Sequence, residues 1–298
     1  MKTREKEIRR ITLIGAVVNI ALTVLKIAAG ILGRSAAMIA DGVHSLSDLL
    51  SDIVVLAFTH ISAKGRDRDH SFGHGKFETL ATLIVSVILA VAGANLMAEG
   101  IRKIIRVLQG ELLPVPGTVA LWAAAASIIA KEALYHATLL TSRKVNSPVL
   151  VANAWHHRSD SFSSVGALAG IGTAILLGER WAVLDPVVSC CISIAIIVVA
   201  VKMALPSLSE LLETSLPADI EQGITDTAAA VPGVNDIHDL KTRRNGISFI
   251  IEVHVVVDPD MSVVQAHDIA TAVEEALRDK YGAQTQISTH IEPDKEAK

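Results

Sequence analysis

Six apolar stretches, residues 11–32, 36–61, 77–101, 115–140, 148–177 and 182–205, fill the first two thirds of this 298-residue chain. Each holds roughly the 20 apolar residues that a ~30 Å hydrocarbon core requires. A backbone in lipid must satisfy its own polar groups, so runs of this length and character are expected to form membrane-spanning helices. Composition agrees, with 51% hydrophobic residues and a mean hydropathy of +0.46. The first run is already long enough to span, so no cleavable leader is expected. Cys190 and Cys191 are adjacent in the sixth run and read as small helix residues, not as a disulfide or metal pair. The net charge of −4 averages a membrane part with a soluble one and says little about partners.

Basic residues suggest an orientation. Lys2, Arg4, Lys6, Arg9, Arg10, Lys64, Arg66, Arg68, Lys76, Arg143 and Lys144 fall on one side, against Arg34, Arg102, Lys103, Arg106 and Arg180 on the other. The bias favours both termini in the cytoplasm of a multi-pass cell-membrane protein, with the cluster at 102–106 as an imperfection.

Beyond Pro206 the pattern changes. A short amphipathic helix at 219–230 precedes two strands, 236–242 and 247–258, flanking Asn245-Gly246, a pair suited to a tight primed turn. Residues 262–280 have helical spacing and 285–291 alternate like a strand. The expected architecture is an all-α six-helix transmembrane domain, 1–206, followed by a small α+β domain, 207–298, with an αββαβ, ferredoxin-like order.

Ionisable groups inside the spans carry the functional signal. They are costly at membrane depth and mark ion pathways or proton relays. His44 and Asp48 lie one helical turn apart on the second span, and His156 and Asp160 on the fifth. Two imidazoles and two carboxylates suit a tetrahedral divalent cation, zinc above all. On the fifth span Asn153, His156, His157 and Asp160 share one arc, so spacing alone does not choose between the two histidines. Asp41 and Asp52 extend the second-span stripe and read as pathway lining. Lys26, Lys131, Glu132 and His136 read as structural.

Two further groups lie outside the spans. His70 and His74 in the loop after the second span would share a face if that segment were helical. In the tail, His238 and His254 flank the Asn245-Gly246 turn at nearly equal distance, within about one residue of register, and His290 and Glu292 share a strand face.

HSLSD on the second span, HHRSD on the fifth, the loop DHSFGHGK and the αββαβ tail together resemble the cation diffusion facilitator family. The resemblance covers nearly the whole chain. It implies a homodimer of six-span protomers in the lipid bilayer that exports a divalent metal ion, usually in exchange for protons. It places the transport site on His44, Asp48, His156 and Asp160, which selects His156 over His157. It implies a loop site at Asp67, His70 and His74, and a cytoplasmic zinc set at His238, His254, His267, His290 and Glu292, where some relatives have Asp in place of the last. It also implies an ion pair between Lys76 and Glu213. Iron, manganese, cadmium or cobalt are alternative cargoes, and a non-transporting metal sensor or scaffold is the competing class. No enzyme is expected, since the chain lacks the HExxH pair of a metalloprotease, and no nucleic-acid partner.

Overall fold

The computed structural model describes residues 2–62, 67–145, 148–246 and 248–294. Lys64 and Arg66, Ile247 of the expected second strand, and the side chain of Asp52 lie outside what it describes. The chain divides into two compact units, Met1–Ile53 with Ile84–Lys202, and Val54–Leu83 with Met203–Lys298.

Six long helices occur among the described residues: α1 (Lys2–Leu32), α2 (Ala36–Ser62), α3 (Lys76–Leu108), α4 (Thr118–Val145), α5 (Pro148–Leu177) and α6 (Leu184–Leu211), with a 3₁₀ turn at Glu179–Trp181 before the last. The basic leader expected before the first span is part of α1, because Lys, Arg and Glu are good helix formers. Five of these helices, all but α2, are long and apolar enough to cross a membrane, judged on the described residues. The exception carries Asp41, His44 and Asp48.

The first unit inverts the usual burial. Large apolar side chains such as Leu13, Val17, Val24, Ile31, Ile84 and Val91 are exposed, while Lys26, Asp41, Ser127, Lys131, Asp160 and Ser164 are buried. That distribution suits helices solvated by lipid, with polar groups facing the interior. Small residues let the helices approach closely: Ala29, Ala37, Ala120, Ala123, Ala124 and Ala167 surround Met38 and Ile171. A Cβ at Gly100 of α3 would lie 2.5 Å from Cys190 Sγ of α6, so Cys190 fills a helix contact. Asp185, at the start of α6, caps α2. Its Oδ2 accepts from the Ala36 amide at 2.6 Å and its Oδ1 from the Ser35 hydroxyl, placing negative charge at the positive end of the helix.

In the second unit α7 (Ala218–Ala229), β1 (Asp236–Asn245), β2 (Ser248–Val257), α8 (Val263–Tyr281) and β3 (Gln286–Pro293) follow the expected αββαβ order. The sheet runs β1-β2-β3, antiparallel then parallel. Ile251, Val253, Val255 and Val257 alternate onto one face and meet Ile224 and Ala228 of α7 and Val273 and Leu277 of α8. His254 therefore points from the opposite face. A capping box between Ser262 and Gln265 starts α8.

Candidate metal centres

Ligand atoms of Asp48, His156 and Asp160 lie within 4.8 Å of one another. α2 supplies the first and α5 the other two, with His156 Nδ1 3.6 Å from Asp160 Oδ1 one turn away. His157, which spacing alone could not set aside, is not in this group; it is buried, and its Nε2 is 3.4 Å from Asn153 Nδ2. His44 sits one turn before Asp48 on α2 and is not in the group either. Its Nδ1 is buried with no hydrogen-bond partner, and so is Asp48 Oδ2. Buried polar atoms are normally satisfied, so two orphans one turn apart suit a ligand that is neither protein nor backbone.

Two lysines read as structural from the sequence belong to this region. Lys131 of α4 donates to Asp160 Oδ2 at 2.8 Å, with the two side chains 3% and 7% exposed. Lys26 of α1 pairs with Asp41 Oδ2 at 2.9 Å, both fully buried, and donates to Ser45 Oγ at 2.9 Å. Asp41 also accepts from Ser163 at 2.6 Å and Ser164 at 2.8 Å. Its carboxylate is thus committed to a network joining α1, α2 and α5. A hydropathy profile shows that such charges exist but not whom they meet.

In the loop, ligand atoms of Asp67, His70 and His74 also lie within 4.8 Å of one another. The segment is not helical. Gly73 at φ 84° makes a turn in which its amide donates to the His70 carbonyl at 3.0 Å, and the two imidazole centroids come to 4.3 Å. The amides of His70 and Asp69 donate to Asp67 Oδ1, and the first of these is the main reason its carboxyl is held below the usual range. Asn245 and Gln286 side-chain amides both donate to the Phe72 carbonyl, at 2.8 and 2.9 Å, tying the loop to the sheet.

The Lys76–Glu213 pair is present at 2.6 Å, and Arg243 of β1 reaches the other Glu213 oxygen at 2.7 Å. The Lys76 hydrogen bond, then that from Arg243, holds the Glu213 carboxyl below its ordinary range. A depressed carboxylate stabilises the fold above its ordinary titration range and loses that contribution as pH falls through the folded value. Glu213→Gln is therefore expected to lower the unfolding temperature at neutral pH, with the gap to wild type closing in acid. The check is thermal unfolding of both proteins along a descending pH series.

On the sheet face away from the helices, ligand atoms of His238, His254 and Glu292 lie within 4.8 Å of one another. His254 Nδ1 is 3.0 Å and His238 Nε2 3.3 Å from the Glu292 carboxylate, and His290 Nε2 is 3.6 Å from it. A bulge between His238 and Lys241 makes this possible. Uninterrupted pairing from the Asn245–Ser248 turn would set His238 beside Val255; the shift sets it opposite His254. The same bulge puts Asp239 at φ 46° with its Oδ2, which accepts from Lys241 Nζ at 2.9 Å, 3.4 Å from His254 Nε2, a neighbour of the group that sequence reading missed because bulges have no spacing signal. Partial desolvation pushes the Glu292 carboxyl up, but the His254 hydrogen bond and the three nearby imidazoles outweigh it and hold it low. His267 is not brought to this group. It is exposed on α8, which packs on the other sheet face.

Residues 12–212 match the cation efflux transmembrane domain and residues 216–294 the cytoplasmic domain of cation efflux proteins. Metal tolerance protein C1 of Arabidopsis thaliana is 34% identical over 97% of this chain, which spans 63% of that relative. The manganese efflux system protein MneP of Bacillus subtilis is 31% identical over 97% of both chains. Magnetosome protein MamM of Paramagnetospirillum magneticum is 32% identical over 90% of this chain and 83% of its own. With a family match over more than half of its length and a relative matched end to end, the chain is a multi-pass membrane protein of the cation diffusion facilitator family, whose members are divalent metal cation efflux transporters.

Proposed function

We propose that this protein exports zinc from the cytoplasm in exchange for protons, through His44, Asp48, His156 and Asp160 acting as one site in a bundle of six spans. The observation that carries the reading is the convergence of Asp48, His156 and Asp160 from α2 and α5, beside the orphaned His44 Nδ1 and Asp48 Oδ2. An N2O2 donor set favours zinc over harder ions. Ligands must be deprotonated to hold metal, so metal and protons compete for the same side chains, and a site open to each side in turn needs no separate proton wire. Imidazole is the group whose ordinary titration lies nearest neutral pH. A manganese cargo is the second reading, favoured by the matched manganese efflux protein. Uptake into proteoliposomes with zinc, manganese, iron(II), cadmium and cobalt in competition separates the two. Preferential zinc uptake supports the first reading and preferential manganese uptake the second; no uptake of any ion leaves a sensor or scaffold as the better account.

The same reading makes residues 207–298 a cytoplasmic dimerisation domain, with both termini inside. Zinc at His238, His254, His290 and Glu292 offsets repulsion between acidic protomers and fixes their approach. Sedimentation of the full-length protein in detergent is expected to show a tighter dimer with zinc than with chelator. A monomer in both conditions contradicts it.

A further inference from the structure

We propose that Lys131 sets how tightly the Asp48–His156–Asp160 group holds its cargo and which cations it accepts; this deepens the transport-site reading above and rests on it. The Asp160 carboxylate is divided between two neighbours. Oδ1 turns to His156 Nδ1 at 3.6 Å, while Oδ2 accepts from Lys131 Nζ at 2.8 Å. A cation bound among Asp48, His156 and Asp160 therefore receives one oxygen from Asp160, not two.

Both side chains of the Lys131–Asp160 pair are almost fully buried, so their charges act on the site with little screening. Asp48 and Asp160 alone would balance a divalent cation. The Lys131 ammonium leaves the loaded site with one surplus positive charge. The consequence is weaker retention, which a transporter needs because it must release what it binds. Lys131 also keeps the coordination number low. Zinc accepts four ligands with single carboxylate oxygens, whereas larger, harder cations gain from a carboxylate that offers both. Holding Oδ2 thus disfavours the second class.

Of the other titratable groups on these two helices, His157 is buried, with its Nε2 3.4 Å from Asn153 Nδ2, and the remaining near neighbours form pairs of their own. Glu132 pairs with His136 at 3.3 Å and lies 3.7 Å from Arg158. Lys26 of α1, the other buried lysine described above, is committed to Asp41. Lys131 is the cation that donates to a member of the group.

The test is zinc and manganese uptake by full-length Lys131→Met in proteoliposomes, with zinc binding measured by calorimetry on the same protein in detergent. The expected result is a KM and a Kd for zinc at least tenfold lower than wild type, a lower kcat because release slows, and a rise in manganese uptake relative to zinc. Lys131→Gln is expected to behave in the same direction, since it keeps a hydrogen-bond donor and removes the charge; it replaces the Met variant should that fail to fold. A merely structural tie between α4 and α5 would lower the yield of folded protein and leave KM and metal preference where they were. An unchanged or higher KM with an unchanged preference overturns the proposal. Asp48→Ala, measured alongside, separates the two levels: if it transports normally the site reading itself fails, and if it is dead while Lys131→Met keeps the wild-type KM, only the role of Lys131 fails.

Discussion

Asp48→Ala is expected to abolish metal transport, by more than about 100-fold, because even the outer partners of metal ligands are commonly worth 10–100-fold in affinity or activity. The variant is expected to remain folded. Asp48 Oδ2 is buried without a hydrogen-bond partner, so its removal strands no donor. Asp160→Ala loses transport equally but differs in stability. It leaves the Lys131 ammonium, only 3% exposed, without its carboxylate. Breaking one side of a buried pair costs roughly 3–5 kcal/mol. Zinc uptake in proteoliposomes, with denaturant unfolding of each variant in detergent, checks both statements. Wild-type transport by Asp48→Ala would sink the site assignment, and equal stability of the two variants would contradict the account of Lys131 and Asp160.

The second large effect belongs to the Lys26–Asp41 network. Asp41→Ala leaves Lys26 fully buried with Ser45 Oγ as its remaining hydrogen-bond acceptor among the described residues, and leaves the Ser163 hydroxyl to the Asp160 carbonyl and the Ser164 hydroxyl to Ser127. We expect a loss of about 3–5 kcal/mol. Lys26→Met is expected to cost less, since Asp41 keeps two hydroxyl donors. The double variant, Lys26→Met with Asp41→Leu, is expected to recover much of the loss, because apolar replacement of a whole buried pair is often close to neutral. Unfolding of the three proteins in detergent measures the cycle. An Asp41→Ala protein as stable as wild type would show that the network does not hold α1, α2 and α5 together.

These residues also show what a sequence exposes and what it withholds. The HxxxD spacing on two apolar runs was legible, since an interval of four on a helix is one turn whatever surrounds it. The choice of His156 over His157 was not, because it depends on how α5 is rotated against α2, which single-helix periodicity leaves open. The αββαβ order followed from alternation and the Asn245-Gly246 turn. The bulge that brings His238 opposite His254 and Asp239 near it did not, since one extra residue in a strand alters no pattern along it. His70 and His74 meet as the loop reading required, through the turn at Gly73 in place of a helix. Lys131 and Lys26 were visible as charges in spanning segments, yet their partners lie on helices 29 and 15 residues away in sequence, beyond any local rule.

Zinc flux and lumenal pH followed together, in proteoliposomes of the wild-type protein under an imposed pH gradient, test the central claim most directly. The account requires protons moving down their gradient to drive zinc in the opposite direction, a proton movement to accompany each zinc ion in exchange, and both signals to vanish in Asp48→Ala. Zinc flux that ignores the gradient and leaves lumenal pH unchanged would contradict proton exchange and make the protein a uniporter.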